Sequence, residues 1–203
     1  MSDQPPVSKL SQSQSQFIVP QELAKFSISK SEFLAQNLKF QKLAVGAMVF
    51  HKERLLLVQR SASERAFPNF WEIPGGSCED SDETILHGIA RELQEETGLK
   101  VMKFVRLVTQ FDWEDRLPHH QSQERWVKLI FDVEVDGKDG KSGSESLDVV
   151  LDPNEHQRYL WATEEEVRKE KSDGTILEYI TPDNKTAKLA GFGLRRRDVV
   201  EVQ

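Results

Sequence analysis

The chain has 203 residues, of which 37% are hydrophobic and 30% are charged, and its formal net charge at pH 7 is −7. This length and apolar content suffice for one hydrophobic core. The acidic balance disfavours a nucleic acid polymer as a large-surface partner, because such partners attach to basic faces. No apolar run approaches the roughly 20 residues of a membrane span, so no association with a membrane is expected.

Cysteine usage and the N-terminus indicate the compartment. Cys78 is the only cysteine, which excludes an internal disulfide framework and suits a reducing environment. The N-terminus lacks the charged and then apolar pattern of a secretory signal peptide. We therefore expect a cytoplasmic protein, with Cys78 as a bystander in chemistry.

The N-terminal part of the chain is predicted to contain a tail and one hairpin. Residues 1–16 are polar and repetitive, which predicts a disordered tail ahead of a single domain over residues 17–203. An irregular helical piece is expected over residues 20–37, with Ser31 capping one short turn. The β-rich runs at residues 43–50 and 54–60, separated by three polar residues, predict a hairpin.

The central part is predicted to alternate between strands and one helix. Trp71-Glu72-Ile73 is a short strand that leads into Pro74-Gly75-Gly76, and a helix follows at about residues 83–97. Long strands are expected over residues 101–113 and 124–135, joined by a polar loop.

The C-terminal part begins with a glycine-rich excursion at residues 136–146, predicted to be flexible. A last strand is expected at residues 159–162. Thr163, with Glu166 three residues on, has the spacing of a capping box that opens a helix to about residue 171. A weaker helix is expected over residues 184–200; its basic triplet, 195–197, is predicted to contact the helix dipole or to lie on a solvated face.

The central helix carries an acidic face. Glu92, Glu95 and Glu96 stand at positions n, n+3 and n+4, so they fall within one arc of roughly 100°. Like charges this close destabilise a helix, so a cation is expected among them, and carboxylate oxygens favour Mg²⁺ or Mn²⁺. The alternative is an ordinary solvated acidic face. A second arc is apolar and is expected to be buried; it holds Leu86, Ile89, Ala90 and Leu93.

This segment resembles the Nudix box, whose pattern is G-x5-E-x7-R-E-U-x-E-E-x-G-U with U aliphatic. The positions that match in register are Glu83, Arg91, Glu92, Leu93, Glu95, Glu96, Gly98 and Leu99. The front departs from the pattern, because Ser77 stands where the glycine is expected and the glycines are Gly75 and Gly76. We interpret the departure as one extra loop residue.

The resemblance implies an α/β fold, namely an αβα sandwich with a mixed β-sheet flanked by helices. It also implies a metal-dependent hydrolase of a diphosphate linkage in a nucleoside diphosphate derivative or another organic diphosphate. The implied catalytic residues are Glu92, Arg91 and Glu95, with Arg91 orienting a catalytic glutamate. The implied ligands of Mg²⁺ or Mn²⁺ are Glu92, Glu95, Glu96 and the carbonyl of Gly76, although the carbonyl of Ser77 is an alternative.

Two roles stay open at this point. The general base is Glu92 or Glu124, since some relatives use a base outside the box. Direct pairing of Arg91 with Glu83 requires Glu83 to fold back, because the two lie roughly 12 Å apart along the helix axis.

The substrate side is less specific. Arg60 and Arg65 flank a polar segment ahead of the box and are predicted to contact phosphate oxygens, although such arginines also occur simply on surfaces. Three aromatic residues either stack a base or belong to the core: Phe111, Trp113 and Trp126. The expected partner is a small-molecule diphosphate, and a homodimer is compatible with the sequence.

Two other functions compete with hydrolysis. A non-catalytic Nudix-fold ligand-binding module is disfavoured because such modules usually lose the carboxylates and arginine that are intact here. An isoprenoid diphosphate isomerase-like enzyme is disfavoured because that family needs a cysteine and histidine constellation, and Cys78 is the only cysteine.

Overall fold

The computed structural model describes residues 17–115, 124–136 and 147–201. The predicted tail at 1–16 and most of the predicted flexible excursion lie outside the described residues. The elements follow one another along the chain in this order: a 3₁₀ helix Gln21–Phe26, α1 Lys30–Gln36, β1 Lys42–His51, β2 Arg54–Arg60, β3 Trp71–Glu72, α2 Ile85–Thr97, β4 Val101–Asp115, β5 Glu124–Val135, β6 His156–Ala162, α3 Glu164–Lys169, β7 Lys171–Ser172, β8 Thr175–Ile176 and α4 Pro182–Glu201.

The main sheet is mixed. Its order is β3-β2-β1-β5-β4, and β6 pairs with β2. β1 and β5 are parallel over the whole run from Lys42 opposite Trp126 to Val49 opposite Val133, whereas the other pairs in this sheet are antiparallel. A parallel pair requires a long crossover, and α2 and β4 lie within the connection that joins β1 to β5.

Helices cover both faces of this sheet. On one face, the apolar side of α2 packs with β1 and β5 through Ile89, Leu93, Val45 and Phe131. On the other face, α3 and α4 pack through Val167 and Phe192. The period-2 alternation of β5 separates the two cores, because successive side chains point to opposite faces. The predicted αβα sandwich with a mixed sheet is confirmed.

Capping explains where the short helices begin. Thr163 and Glu166 form the predicted capping box at α3. The helix ends at Lys169, two residues earlier than expected, because Glu170 adopts a left-handed conformation and a strand follows. The prediction for α1 was wrong by two residues: Ser29, not Ser31, is the N-cap, because its side chain accepts the backbone N–H of Glu32.

Two arginines of the basic triplet of α4 form tertiary ion pairs; the expectation of a dipole contact or a solvated face is corrected for Arg195, whereas Arg196 and Arg197 are exposed. Arg195 Nη1 lies 2.9 Å from Oδ1 of the buried Asp132 on β5, and its guanidinium lies 4.6 Å from the Phe50 ring centroid. Arg196 pairs with Glu164 of α3. These contacts attach α4 to the sheet and to α3.

Among the described residues, no helix combines the length and the hydropathy that crossing a bilayer requires.

Lys188 of α4 is a buried cation that we expect to cost stability. Its side chain is fully buried; Nζ donates to the Asn184 carbonyl at 3.1 Å and lies 4.4 Å from the Tyr179 ring centroid. Burial, and then repulsion from Lys128, lower the pKa of Lys188 to about 7, although Glu72 opposes the shift.

We therefore predict that Lys188→Met is more stable than the wild type at pH 7 by about 1 kcal/mol or more. Between pH 7 and about 10.4 the unfolded lysine binds more protons than the folded one, so wild-type stability rises with pH in that window. The advantage of the variant should narrow as pH rises, measured by urea unfolding at pH 7, 8.5 and 10. The exposed Lys171→Met is the control, and an advantage independent of pH would contradict the explanation.

Candidate active site

The acidic residues lie on helix α2. The two ends of this helix are fixed by its capping residues, and its orientation is fixed by its apolar side. Thr84 is the N-cap, and Gly98 closes the helix in the left-handed conformation at φ +70°. The apolar arc packs on the core as predicted, with Leu86, Ile89 and Leu93 buried, whereas Ala90 is only partly buried. Since Glu92, Glu95 and Glu96 occupy a neighbouring arc, they lie at the border between the core and solvent.

The three helix glutamates differ in environment. Glu92 and Glu96 are buried, whereas the side chain of Glu95 is 56% exposed. Glu96 Oε2 accepts the backbone N–H of Gly75 at 2.8 Å. A Cβ on Gly76 would lie 2.8 Å from Glu92 Oε2, so the absence of a side chain there leaves room for this carboxylate. The glycine loop therefore packs directly on the two buried acids.

The electrostatics of these two acids are unfavourable without a cation. Burial raises the pKa of Glu92, and Arg91 only partly opposes that shift. Burial raises the pKa of Glu96 well above its ordinary value, and the carboxylates of Glu72, Glu92 and Glu155 raise it further. Carboxylates converge here in a place of low solvent access, which is where a divalent ion is most stabilising.

Two residues far along the chain complete the acidic cluster. Glu155 and the buried His156 stand at the start of β6, and each offers a ligand atom such that these atoms and one of Glu96 all lie within 4.8 Å of one another. Nδ1 of His156 has no hydrogen-bond partner among the residues that the structure describes. Sequence reasoning missed both residues, because only tertiary contacts bring them to α2: β6 pairs with β2, and the Val150 N–H, ahead of β6, donates to the Thr97 carbonyl at the end of α2.

Arg60 is engaged with protein groups. Its guanidinium donates to Glu72 Oε1 at 2.8 Å, to the Ala66 carbonyl at 2.9 Å and to Glu64 Oε2 at 3.1 Å. Although burial raises the pKa of Glu72, the nearby His156 ring, Lys128 and Arg60 lower it to about 2. Arg65 is exposed in the segment between β2 and β3.

Arg91 connects the helix to the loop before it. Its Nε and Nη2 donate to Asp82 Oδ1 and Oδ2 at 2.9 and 3.0 Å, and its Nη1 donates to Glu92 at 3.0 Å and to Glu95 at 2.9 Å. The Asp82 hydrogen bonds raise the pKa of Arg91 far above its usual value. Glu83, which occupies the matching position of the Nudix pattern, is exposed and lies 3.7 Å from His87.

The two backbone carbonyls considered as metal ligands both accept hydrogen bonds. The Gly76 carbonyl accepts the N–H of Val45 at 2.8 Å, and the Ser77 carbonyl accepts Arg91 Nη2 at 3.1 Å. A carbonyl oxygen has two lone pairs, so each retains one acceptor position.

The other residues singled out from the sequence lie as follows. Cys78 is buried; burial and the neighbouring Asp82 carboxylate raise the pKa of its thiol to about 12, so it is protonated at neutral pH. Glu124 begins β5 and lies 3.6 Å from Lys42 Nζ. Trp113 and Trp126 stack with their ring centroids 5.7 Å apart, and Trp113 remains partly exposed.

The surface of the described residues has a cleft beside the acidic helix and another on the opposite helix layer. One of about 510 Å³ borders the outer side of the acidic face, where Asp82, Arg91 and Glu95 line it. A larger one of about 750 Å³ lies away from the acids, between the β1–β2 turn, α3 and α4.

Comparison with known proteins identifies the family and the fold. Residues 40–182 match the model of the NUDIX domain, and the chain therefore belongs to the Nudix family. Two solved structures share the fold. A MutT NUDIX hydrolase from Burkholderia pseudomallei aligns with a TM-score of 0.52 at 20% identity, over 72% of this chain and 94% of that one. A NUDIX hydrolase from Nitrosomonas europaea aligns with a TM-score of 0.55 at 19% identity, over 78% and 73% of the two chains.

Curated relatives match over shorter segments. The 8-oxo-dGDP phosphatase NUDT18 of Danio rerio is 32% identical over 108 residues, which are 53% of this chain and 29% of the relative. The m7GpppN-mRNA hydrolase NUDT17 of Xenopus laevis is 38% identical over 77 residues, which are 36% of this chain and 26% of the relative. The chain thus spans less than a third of the length of either.

Proposed function

We propose that this chain is a metal-dependent hydrolase that cleaves a diphosphate linkage in a nucleoside diphosphate derivative or another organic diphosphate. One observation carries the proposal: the buried carboxylates of Glu92 and Glu96 both contact the glycine loop, and Glu155 lies beside Glu96. Family membership supports the same class. The name of the relative NUDT18, an 8-oxo-dGDP phosphatase, favours nucleotides as the first substrates to test.

The residues present fit a divalent cation. Carboxylates that repel one another in a buried place, and a glycine that makes room for one of them, form a set of hard oxygen donors suited to Mg²⁺ or Mn²⁺. The proposed ligands are Glu92, Glu95, Glu96 and the Gly76 carbonyl, with Glu155 as an addition. Such an ion, when bound, neutralises phosphate charge and lowers the pKa of a coordinated water.

The chain's own residues supply positioning and proton transfer. Arg91 holds Glu92 and Glu95 through one terminal nitrogen. Of the two bases considered from the sequence, Glu92 is favoured, because Glu124 begins β5 beside Lys42. Glu155 is a further base, since it is exposed and adjacent to Glu96. A carboxylate oxygen of Glu92 or Glu155 accepts the proton of the attacking water.

Phosphate binding is assigned to two arginines. Arg65 is exposed, and Arg60 uses three of its five N–H donors on protein acceptors, which leaves two for a ligand. Trp113, stacked on Trp126 and partly exposed, is proposed to contact the organic group. The expected partner is a small molecule rather than a nucleic acid polymer, in a cytoplasmic setting. A homodimer stays a prediction.

The competing functions have less support. A non-catalytic module does not need the intact set of Arg91, Glu92, Glu95 and Glu96. An isomerase-like enzyme needs a reactive cysteine, and Cys78 is buried and protonated. Hydrolysis of a capped dinucleotide is a second candidate, on the similarity to NUDT17 alone.

The test is a substrate panel with a metal requirement. We expect the purified chain to hydrolyse at least one of 8-oxo-dGDP, 8-oxo-dGTP, dGTP, an isoprenoid diphosphate or a capped dinucleotide, and only with added Mg²⁺ or Mn²⁺. Released phosphate or diphosphate is measured, with product separation to identify the bond cleaved. Full activity in excess chelator, or no hydrolysis of any diphosphate with either metal, would overturn the proposal.

A further inference from the structure

The carboxylate that holds Arg91 belongs to Asp82 and not to Glu83. Asp82 accepts two hydrogen bonds from one edge of the guanidinium, at 2.9 and 3.0 Å, which is the bidentate geometry of a strong arginine–carboxylate pair. The side chain of Asp82 is 4% exposed, whereas that of Glu83 is 65% exposed. Glu83 nevertheless occupies the position at which the Nudix pattern has its glutamate.

The surroundings of Asp82 are shaped for a carboxylate. Its Oδ2 also accepts the backbone N–H of Glu79 at 2.7 Å. On the facing turn of α2, a Cβ on Gly88 would lie 2.7 Å from that same oxygen and 3.0 Å from Cys78 Sγ. Gly88 therefore leaves the space that Asp82 fills, and the aspartate is held from both its loop and its helix side.

The spacing places the extra residue after the acid. Asp82 follows Gly76 by six residues, as the glutamate of the G-x5-E pattern follows its glycine, and it precedes Arg91 by nine residues instead of eight. The glycine loop thus has its ordinary length. The additional residue is accommodated at residues 83–84, where the chain enters the N-cap of α2.

We infer that Asp82 is the positioning residue of this active site, and this inference rests on the proposed function. Asp82 occupies the Nε and Nη2 edge of Arg91, so Nη1 is directed at Glu92 and Glu95 together. Without Asp82 the guanidinium loses both carboxylate hydrogen bonds on that edge and keeps only the Ser77 carbonyl there, as an acceptor for Nη2. Glu92 and Glu95 then lose the donor that sets their position, while no group contacting the substrate has been removed.

The first comparison is Asp82→Asn against its sequence neighbour, Glu83→Gln. Substitutions of groups that orient metal ligands typically cost about 10–100-fold in affinity or activity. We expect Asp82→Asn to lose that much in kcat and in Mn²⁺ affinity, with substrate KM within about twofold. Glu83→Gln should match the wild type in all three. Mn²⁺ binding is measured by calorimetry without substrate, and circular dichroism establishes that both variants fold.

The second comparison changes the spacing. Deletion of Asp82 makes Glu83 follow Gly76 by six residues and precede Arg91 by eight, which is the ordinary family spacing. Loops accommodate length changes at small cost, so we expect Glu83 to take over and activity to return to within about tenfold of the wild type. Adding Glu83→Gln to the deletion should then abolish that recovery.

Two outcomes would overturn the inference: a loss in Glu83→Gln with Asp82→Asn unaffected, or equal behaviour of the two single variants. A deletion variant that is folded but as weak as Asp82→Asn would show that Glu83 cannot replace the aspartate, which contradicts the spacing argument. Mn²⁺ binding does not depend on turnover. A wild type that binds Mn²⁺ more tightly than Asp82→Asn but hydrolyses nothing would therefore contradict the proposed function alone.

Discussion

Glu96→Gln is expected to lower kcat by about 100-fold or more, because interactions with a catalytic metal supply several kcal/mol of transition-state stabilisation. Glu96 is buried, accepts the N–H of Gly75 and lies in the cluster that includes Glu155 and His156. Glutamine keeps the shape but removes the charge that a cation needs. The measurement is kcat and the Mn²⁺ concentration for half-maximal activity on the best substrate of the panel.

Glu95→Gln is the matched comparison. Its carboxylate is mostly exposed and is held by Arg91, so we expect a smaller loss of kcat than for Glu96→Gln.

The thermal stability of Glu96→Gln should equal or slightly exceed that of the wild type without metal, because one of several mutually repelling carboxylates has been neutralised. Near-wild-type turnover in Glu96→Gln would mean that the metal is held elsewhere.

Gly75→Ala is expected to be the most destabilising single substitution near the site, by about 3 kcal/mol or more. Gly75 has φ +142°, which side-chain-bearing residues rarely adopt, and a Cβ there would overlap the Val45 carbonyl oxygen and lie 2.6 Å from Gly46 Cα. Both obstacles are backbone atoms of β1, so they cannot move aside as a flexible side chain can. Unfolding in urea measures the loss.

Gly174→Ala separates backbone strain from atomic overlap as causes of the lost stability. Gly174 also has positive φ, at +82°, but apart from its chain neighbours no atom of the described residues lies within 4 Å of an added Cβ. Strain alone should then cost about 1 kcal/mol. If Gly75→Ala costs no more than Gly174→Ala, the loop before α2 can shift away from β1, and the argument from the close approach is wrong. Because the overlap would displace the backbone whose N–H donates to Glu96, the alanine variant should lose activity even where it remains folded.

Some features of this protein were determined by short stretches of sequence. The acidic and apolar arcs of α2, its end at residue 97 and the capping box at Thr163 were all predicted and are all present. Each depends on backbone hydrogen bonds and side-chain periodicity within a few residues. The β1–β2 hairpin was predicted for the same reason, since alternation and a short polar connection are local properties.

The partners of Arg91 show where local patterns fail. Counting along the chain selects Glu83, whereas packing selects Asp82, because the Asp82 carboxylate fills the space that Gly88 leaves and the Glu83 side chain is exposed. The sequence pattern specifies that an acid precedes the arginine. The position of the extra residue depends on how the loop meets the helix, and that is a property of packed atoms.

Contacts between residues distant along the chain were determined by the tertiary structure alone. Glu155 and His156 lie beside Glu96 because β6 pairs with β2 and the segment ahead of β6 hydrogen-bonds to the end of α2. Arg195 pairs with the buried Asp132 because α4 covers the face of the sheet opposite to α2. The periodicity of one helix or strand can be read within a short stretch of sequence. The residues of these pairs are separated by about sixty positions, so they come together only through strand register and the packing of layers. For this protein the sequence by itself determined the fold class and the acidic helix, while tertiary packing decided which side chains surround it.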